Sequence, residues 1–329
     1  MAEPAPRPLR VGFQVWAQYA TWAELIEAGR TIEALGFASL WSNDHFLPFT
    51  DQSTGSVETL DGPIFEGWSL LAGWAAATSR IPLGCLVSGV GYRSPTLLVK
   101  MATGLDHLSG GRIALGIGAG WFEREHRVFG FPFPPLGERL DRLEEAARIC
   151  RGLLDGERVT VAGRWFSVEG ATNDPPPVQA RMPLVIGGSG ERRTLPIVAR
   201  YADVWSADGD DVEALRRKNT ILDAACRAAG RDPAAVRRTA GQGPAVVRRT
   251  REEARRVYAD LLERNGVPAA LAAEVAAASP RVGSAEEVAV ALAATAAAGI
   301  EEVMLDLPMP LDLPTLEALA GPVRAILQR

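Results

Sequence analysis

The sequence predicts an α/β protein folded as a single (β/α)8 TIM barrel, and three observations carry that prediction. Short apolar runs alternate with amphipathic helical stretches almost from end to end, about eight times, the number that closes such a barrel. The chain of 329 residues has the length for eight such units and an insertion. No segment repeats at a fixed period, which argues against a solenoid. A doubly wound open sheet is the other architecture that alternation alone allows. Residues 1–329 are read as one domain, with the insertion over about 156–182.

In order, residues 11–15 form the first strand and 22–35 a helix closed by Gly36. The second strand, 38–41, runs straight into Trp41-Ser42-Asn43-Asp44-His45-Phe46, so that a buried run ends in titratable groups, with Pro48 following. A helix over 65–77 comes next. Strands at 82–87 and 113–118 flank a helix over 95–108 that carries proline in its first turn. Leu136, Leu140, Leu143, Ala147, Cys150 and Leu154 then recur at spacings of four and three, one apolar helical face. Glu138–Arg142 and Glu144–Arg148 are its solvent-side pairs.

From 156 to 182 the pattern changes. Residues 159–161 and 165–168 flank a Gly-Arg turn as a hairpin, and Pro175-Pro176-Pro177 marks an extended connection, an insertion after the fourth helix. Alternation resumes with strands at 184–186, 203–206 and within 236–247, and with helices at 192–201, 211–230 and from 252. Ser284-Ala285-Glu286-Glu287 is a capping box opening an Ala-rich helix that ends at Gly299. The last strand is 302–307 and the last helix 312–327.

Composition narrows the function. Hydrophobic residues make up 47% and charged residues 23%, and the formal net charge of −5 gives no electrostatic footprint for nucleic acid or an anionic membrane. Cys85, Cys150 and Cys226 are odd in number and far apart, which fits small core residues of a cytoplasmic protein rather than a disulfide framework or a zinc site. Residues 1–10 show no apolar h-region, so no signal peptide is expected. The longest uncharged apolar stretch, 288–300, falls short of the roughly 20 residues of a membrane span. A soluble, cytoplasmic protein is expected.

In a barrel the carboxyl ends of the strands form the catalytic face. His45 and His126 follow strands and fall on that face, whereas His107 ends a helix on the opposite one and reads as structural. Asp44 beside His45 offers a carboxylate and a group titrating near neutrality, suited to proton transfer. The plainer reading is a helix cap and a surface histidine. Asp44, His45, Glu125 and His126 could in principle converge on a metal ion, but a metal site needs more ligands at suitable spacing, and no metal is expected.

The second constellation, Gly187-Gly188-Ser189-Gly190, joins a strand end to a helix start, where consecutive backbone N–H groups can cradle a phosphate. Arg192 or Arg193 would add charge, and a tight turn is the alternative. It is not a Rossmann fingerprint, and no P-loop is present. The third, Gly116-Ile117-Gly118-Ala119-Gly120-Trp121, allows close approach of a flat ring or simply packs a crowded mouth. Trp16, Trp41, Phe46, Phe49, Trp121 and Phe122 all fall near predicted strand ends and suit an aromatic-lined pocket for a planar cofactor.

Asp44-His45-Phe46, residues 105–112 (LDHLSGGR), 116–121 (GIGAGW), 186–190 (IGGSG) and 200–203 (RYAD) occur in this order. Together they resemble the luciferase-like monooxygenase superfamily, and most closely its branch dependent on the deazaflavin coenzyme F420. The resemblance implies an oxidoreductase exchanging a hydride between the deazaflavin and a small organic substrate, with an FMN-dependent monooxygenase as the nearest alternative. A non-catalytic flavin or deazaflavin carrier and a phosphosugar isomerase or lyase are readings from other classes. The ring would lie near Asp44, His45, Leu86, Val87, Ser88, Ala119 and Gly120, and the phosphate on Gly187, Gly188, Ser189 and Gly190.

The resemblance further implies a non-prolyl cis peptide at Leu86–Val87, with Val87–Ser88 as the alternative position. His45, held by Asp44, matches a proton-transfer position, and Phe49 matches an active-site tryptophan. Trp121 stands where some such enzymes have a glutamate, so their sugar-phosphate chemistry is not implied. A homodimer is common among such proteins. The loop from Leu47 to Pro63 and the insertion are expected to shape the substrate pocket.

Overall fold

In the computed structural model, which describes residues 8–49, 61–209 and 211–328, the apolar runs become eight parallel strands. They are β1 (Arg10–Val15), β2 (Leu40–Ser42), β3 (Leu83–Cys85), β4 (Ile113–Gly118), β5 (Leu184–Gly187), β6 (Val204–Asp208), β7 (Arg237–Gln242) and β8 (Glu302–Leu307). Their order is β3-β2-β1-β8-β7-β6-β5-β4, and β3 pairs back onto β4, so the sheet closes. Closure leaves no unpaired edge.

The two-residue period of a strand sorts the side chains. Phe13, Leu40, Leu83, Leu115, Ile117, Ile186, Trp205 and Leu305 face outwards into the main core beneath the helices. Trp41, Leu86, Ala114, Val185, Val204 and Met304 form a separate cluster inside the barrel. Helix starts follow local chemistry. Thr21–Glu24 and Ser284–Glu287 are reciprocal capping boxes, and Glu66 accepts from the N–H groups of Trp68 and Ser69 to open the helix Gly67–Ala77.

Four sequence expectations are modified. The third strand stops at Cys85, a cis peptide follows at Leu86–Val87, and Ser88–Gly89 then rejoins β4. The region 236–247 splits: β7 ends at Gln242, and Val246–Val247 pairs with Val282–Gly283 in a separate two-stranded sheet. That sheet and the helices Arg251–Arg264 and Ala269–Ala278 enclose a second core around Trp16 and Tyr258. The last helix runs unbroken from Leu313 to Leu327 but widens into a π turn over Leu319–Val323, around Pro322, which cannot donate a helical hydrogen bond. Glu138 and Arg142 pair at 2.8 Å, but Glu144 reaches Arg200 at 2.7 Å rather than Arg148, since that face abuts the helix Thr194–Tyr201.

The predicted hairpin forms from Val159–Ala162 and Ser167–Ala171, and the Glu145 carboxylate accepts from the N–H groups of Arg164, Trp165 and Phe166 at its turn. Ala272 and Ala276 pack on the second core and Val288, Ala289 and Leu292 on the main one, so both Ala-rich helices bury a face against their own chain. All three cysteines are buried. Among the described residues no helix is long and apolar enough to cross a membrane. Residues 1–7 of the N-terminal stretch and 50–60 of the Leu47–Pro63 loop lie outside the described residues.

Candidate active site

Neighbouring residues at the end of an extended strand point in opposite directions, and this separates Asp44 from His45. The Asp44 carboxylate, buried behind β2, lies 2.6 Å from Nη1 of Arg93. Nη2 of Arg93 lies 2.6 Å from Glu66, the cap of the helix Gly67–Ala77. Burial pushes the Asp44 carboxyl above its usual range, and the Arg93 guanidinium offsets part of that effect. The expectation that Asp44 holds His45 is therefore corrected: Asp44 ties the strand end to the helix behind it.

The partner of His45 is Glu125. Nδ1 of His45 lies 3.2 Å from Oε1 and 3.3 Å from Oε2 of a carboxylate whose side chain is fully buried. That carboxylate also accepts from the Tyr92 hydroxyl and from the backbone N–H groups of Phe46, at 2.5 Å, and Leu47, at 3.2 Å. Burial opposes ionisation of Glu125, but the His45 contact, with Tyr92 and the Phe46 N–H adding to it, outweighs burial and lowers its pKa. Burial and the adjacent carboxylate push the Tyr92 phenol upwards, so it stays a donor.

A lowered carboxylate pKa has a definite consequence for stability. The folded state binds this proton less readily than the unfolded chain does. The contribution is thus present above the ordinary value of 4.5 and is lost as pH falls through the folded value. In urea titrations from pH 7 to 3.5, the stability gap between the wild type and Glu125→Gln is expected to narrow below about pH 4.5. A gap that widens with acid would contradict this assignment.

Around His45 lie Phe49 at 4.4 Å, Trp121 at 5.4 Å and Phe122 at 6.0 Å between ring centroids. Phe46 turns the other way, onto Tyr92, Phe129 and Phe131. Trp16 is fully buried in the second core, 6.1 Å from Phe49, and Trp41 packs in the cluster inside the barrel. His126 is buried among Tyr92 and Phe133, with Nδ1 3.0 Å from the Phe122 carbonyl, and burial lowers its pKa. It packs the wall as a neutral ring. His107 places Nε2 2.9 Å from the Pro176 carbonyl on the opposite face, a structural role.

The glycines of β4 and at the end of β5 have a specific use. A Cβ on Gly116 would stand 2.0 Å from the Cys85 carbonyl oxygen, and one on Gly118 2.6 Å from Val87 Cγ2. Gly187 meets Val87 as well, so Val87 from the bulge occupies the space that Gly118 and Gly187 leave. Gln14 holds the bulge from inside the barrel, donating to the Leu86 carbonyl at 2.9 Å. At Gly116 and Gly118 the close approach is that of the chain's own bulge, the crowded packing that the sequence offered as one of two readings. Leu86 and Val87 remain at the mouth side of the interior cluster, with Ala119 and Gly120 half-buried beyond β4. Ser88 is buried, and its hydroxyl accepts from the Trp68 indole at 2.7 Å and donates to Cys85 Sγ at 3.8 Å.

In the loop after β5, Gly188 has φ +120° and donates its N–H to the Ser206 carbonyl, so it supplies conformation rather than a free donor. Ser189 is half-buried and Gly190 exposed, and the helix Thr194–Tyr201 that follows has no side-chain cap. Arg193 is drawn off by Asp141 at 2.6 Å, which leaves Arg192 as the exposed cation of the loop without an ion pair among the described residues.

Sequence reasoning missed Arg93 and Tyr92 altogether and considered Glu125 only as a metal ligand. Tyr92 and Arg93 follow the third strand, and Glu125 lies in the short helix Glu123–Val128 after the fourth, positions that the barrel rule assigns to the catalytic face. The signal was their place after strand ends rather than any local motif.

The chain matches the family model described as luciferase-like monooxygenase over residues 9–308. It is 31% identical over 227 residues to an F420-dependent glucose-6-phosphate dehydrogenase of Microbacterium testaceum, covering 68% of this chain and 64% of that protein. An F420-dependent secondary alcohol dehydrogenase in complex with an F420-acetone adduct superposes with a TM-score of 0.78 at 19% identity, covering 97% of this chain and 99% of that one. Long-chain alkane monooxygenase does so with a TM-score of 0.77 at 18% identity, covering 98% and 91%. With the closed barrel, these comparisons place the chain: it belongs to the luciferase-like monooxygenase family of oxidoreductases.

Proposed function

We propose that this protein is a coenzyme F420-dependent oxidoreductase that exchanges a hydride with a small, uncharged organic substrate. The observation that carries the reading is His45 at the mouth, one ring nitrogen on the buried Glu125 and its ring bordered by Phe49 and Trp121. The named F420-dependent relative and neighbour support the choice of cofactor.

The residues present fit such a group. An uncapped helix start preceded by Ser189 and Gly190 suits a phosphate, where a Cβ on Gly190 would stand 2.8 Å from Thr194 Oγ1. His45, Leu86, Val87, Ala119 and Gly120 would border the ring, and Gly187 to Gly190 the phosphate. When bound, coenzyme F420 supplies a two-electron hydride acceptor or donor. His45 carries the proton that accompanies the hydride, to or from a substrate oxygen. Phe49 and Trp121 exclude water and favour a neutral substrate.

The test is a parallel titration with oxidised F420 and FMN, followed by tryptophan quenching, and then anaerobic turnover with alcohols. Micromolar F420 binding, FMN much weaker, and a loss of about 10²–10⁴ in kcat for His45→Ala support the reading. A preference for FMN would replace it with an oxygen-activating monooxygenase. Binding without turnover of any substrate would leave a carrier.

A further inference from the structure

We infer that Glu125 is the positioning residue that selects the tautomer of His45, so that Nε2 is the atom that accepts or returns the proton. The inference rests on the proposed role of His45. It begins from how the two carboxylate oxygens divide their donors. Oε2 takes the backbone N–H groups of Phe46 and Leu47, and Oε1 takes the Tyr92 hydroxyl, with His45 Nδ1 within 3.3 Å of both. An ionised carboxylate only accepts, so Nδ1 must carry the hydrogen. In the neutral ring the lone pair is then on Nε2, which has no protein hydrogen-bond partner among the described residues.

The same contacts fix where the ring is. Glu125 sits in the helix after β4 and binds the backbone of residues 46 and 47, so it clamps the loop after β2 and the imidazole as one unit. Tyr92, from the loop after β3, holds the far side of the carboxylate. Three consecutive βα connections thereby converge on one buried anion.

The arrangement makes Glu125→Gln informative, because the amide is isosteric but asymmetric. Two fixed backbone N–H groups require its oxygen at the Oε2 position, which puts the NH2 group against His45 Nδ1 and Tyr92. An NH2 group donates, so Nδ1 must become the acceptor and the hydrogen moves to Nε2. The nitrogen that should take the proton is then already protonated, the consequence known for the isosteric Asp-to-Asn change in the serine-protease triad.

The experiment is the two-bond ¹⁵N–¹H spectrum of the imidazoles in the full chain labelled with [¹⁵N]histidine, which contains three histidines. Above the imidazole titration, the wild type is expected to show His45 protonated on Nδ1 and bare at Nε2, and Glu125→Gln the reverse. Turnover of Glu125→Gln is expected to fall about 10²–10⁴-fold in kcat, with KM and F420 affinity within about threefold. Tyr92→Phe keeps the carboxylate and is expected to retain the wild-type tautomer. An Nε2–H tautomer in the wild type overturns the inference whether or not the variants fold, and so does an unchanged tautomer in Glu125→Gln. Failure of F420 turnover in the wild type alone would reject the proposed function while leaving the tautomer assignment standing.

Discussion

Replacing Arg93 with methionine is expected to destabilise the fold by about 3–5 kcal/mol, because it strands a buried carboxylate. Asp44 is 1% exposed, and Arg93 is its ion-pair partner at 2.6 Å. Burial already pushes the Asp44 carboxyl upwards, so without the guanidinium it must fold as the neutral acid or carry an unpaired charge. The variant also releases Glu66, which caps the helix Gly67–Ala77. Urea denaturation measures the loss. The sharper readout is Asp44→Asn combined with Arg93→Met: removing both charges is expected to restore part of the stability, since the pair is compensated rather than intrinsically favourable. Costs that simply add would show that Asp44 does not depend on Arg93.

Gly116→Ala is expected to cost about 3 kcal/mol through steric overlap alone, with no hydrogen-bonding side chain removed. The added methyl would stand 2.0 Å from the Cys85 carbonyl oxygen. That atom is main chain at the strand end that starts the bulge, so no rotamer change relieves the overlap. Gly104→Ala is the control. It lies inside the helix Pro95–Ser109 with open space around its Cβ, and alanine there is expected to stabilise by about 0.5–1 kcal/mol through helix propensity. Thermal and urea unfolding of the two variants should therefore move in opposite directions. If Gly116→Ala were neutral, the bulge would have to be far more compliant than a closed barrel allows.

These two cases show where sequence reasoning reaches its limit. The element order was legible because each strand is a short apolar run and most helices announce their ends: Thr21 and Ser284 with glutamate three residues on, Ser94 before Pro95, Gly36 after the first helix. The last helix was read correctly as continuous, but its π turn around Pro322 was not, because the apolar periodicity runs on through it. The glycines of β4 were visible as a motif, but their use was not. Nothing local says that the neighbours of Gly116 and Gly118 are Cys85 and Val87, some thirty residues away along the chain but adjacent once β3 pairs with β4.

The sequence by itself determined the alternating order of strands and helices, the count of about eight strands, the strand ends as the place of chemistry, and His45 as the group to watch. Each of these depends on periodicity or on the order of elements, which are properties of neighbouring residues. Only the tertiary structure decided the partners: Arg93 for Asp44, Glu125 and Tyr92 for His45, Val87 for Gly118 and Gly187. Asp44 and His45 touch in sequence yet point apart, because successive side chains of an extended backbone leave it on opposite sides. Glu125 and His45 are 80 positions apart in the chain yet meet at 3.2 Å, because closure of a parallel barrel gathers the ends of all its strands onto one rim.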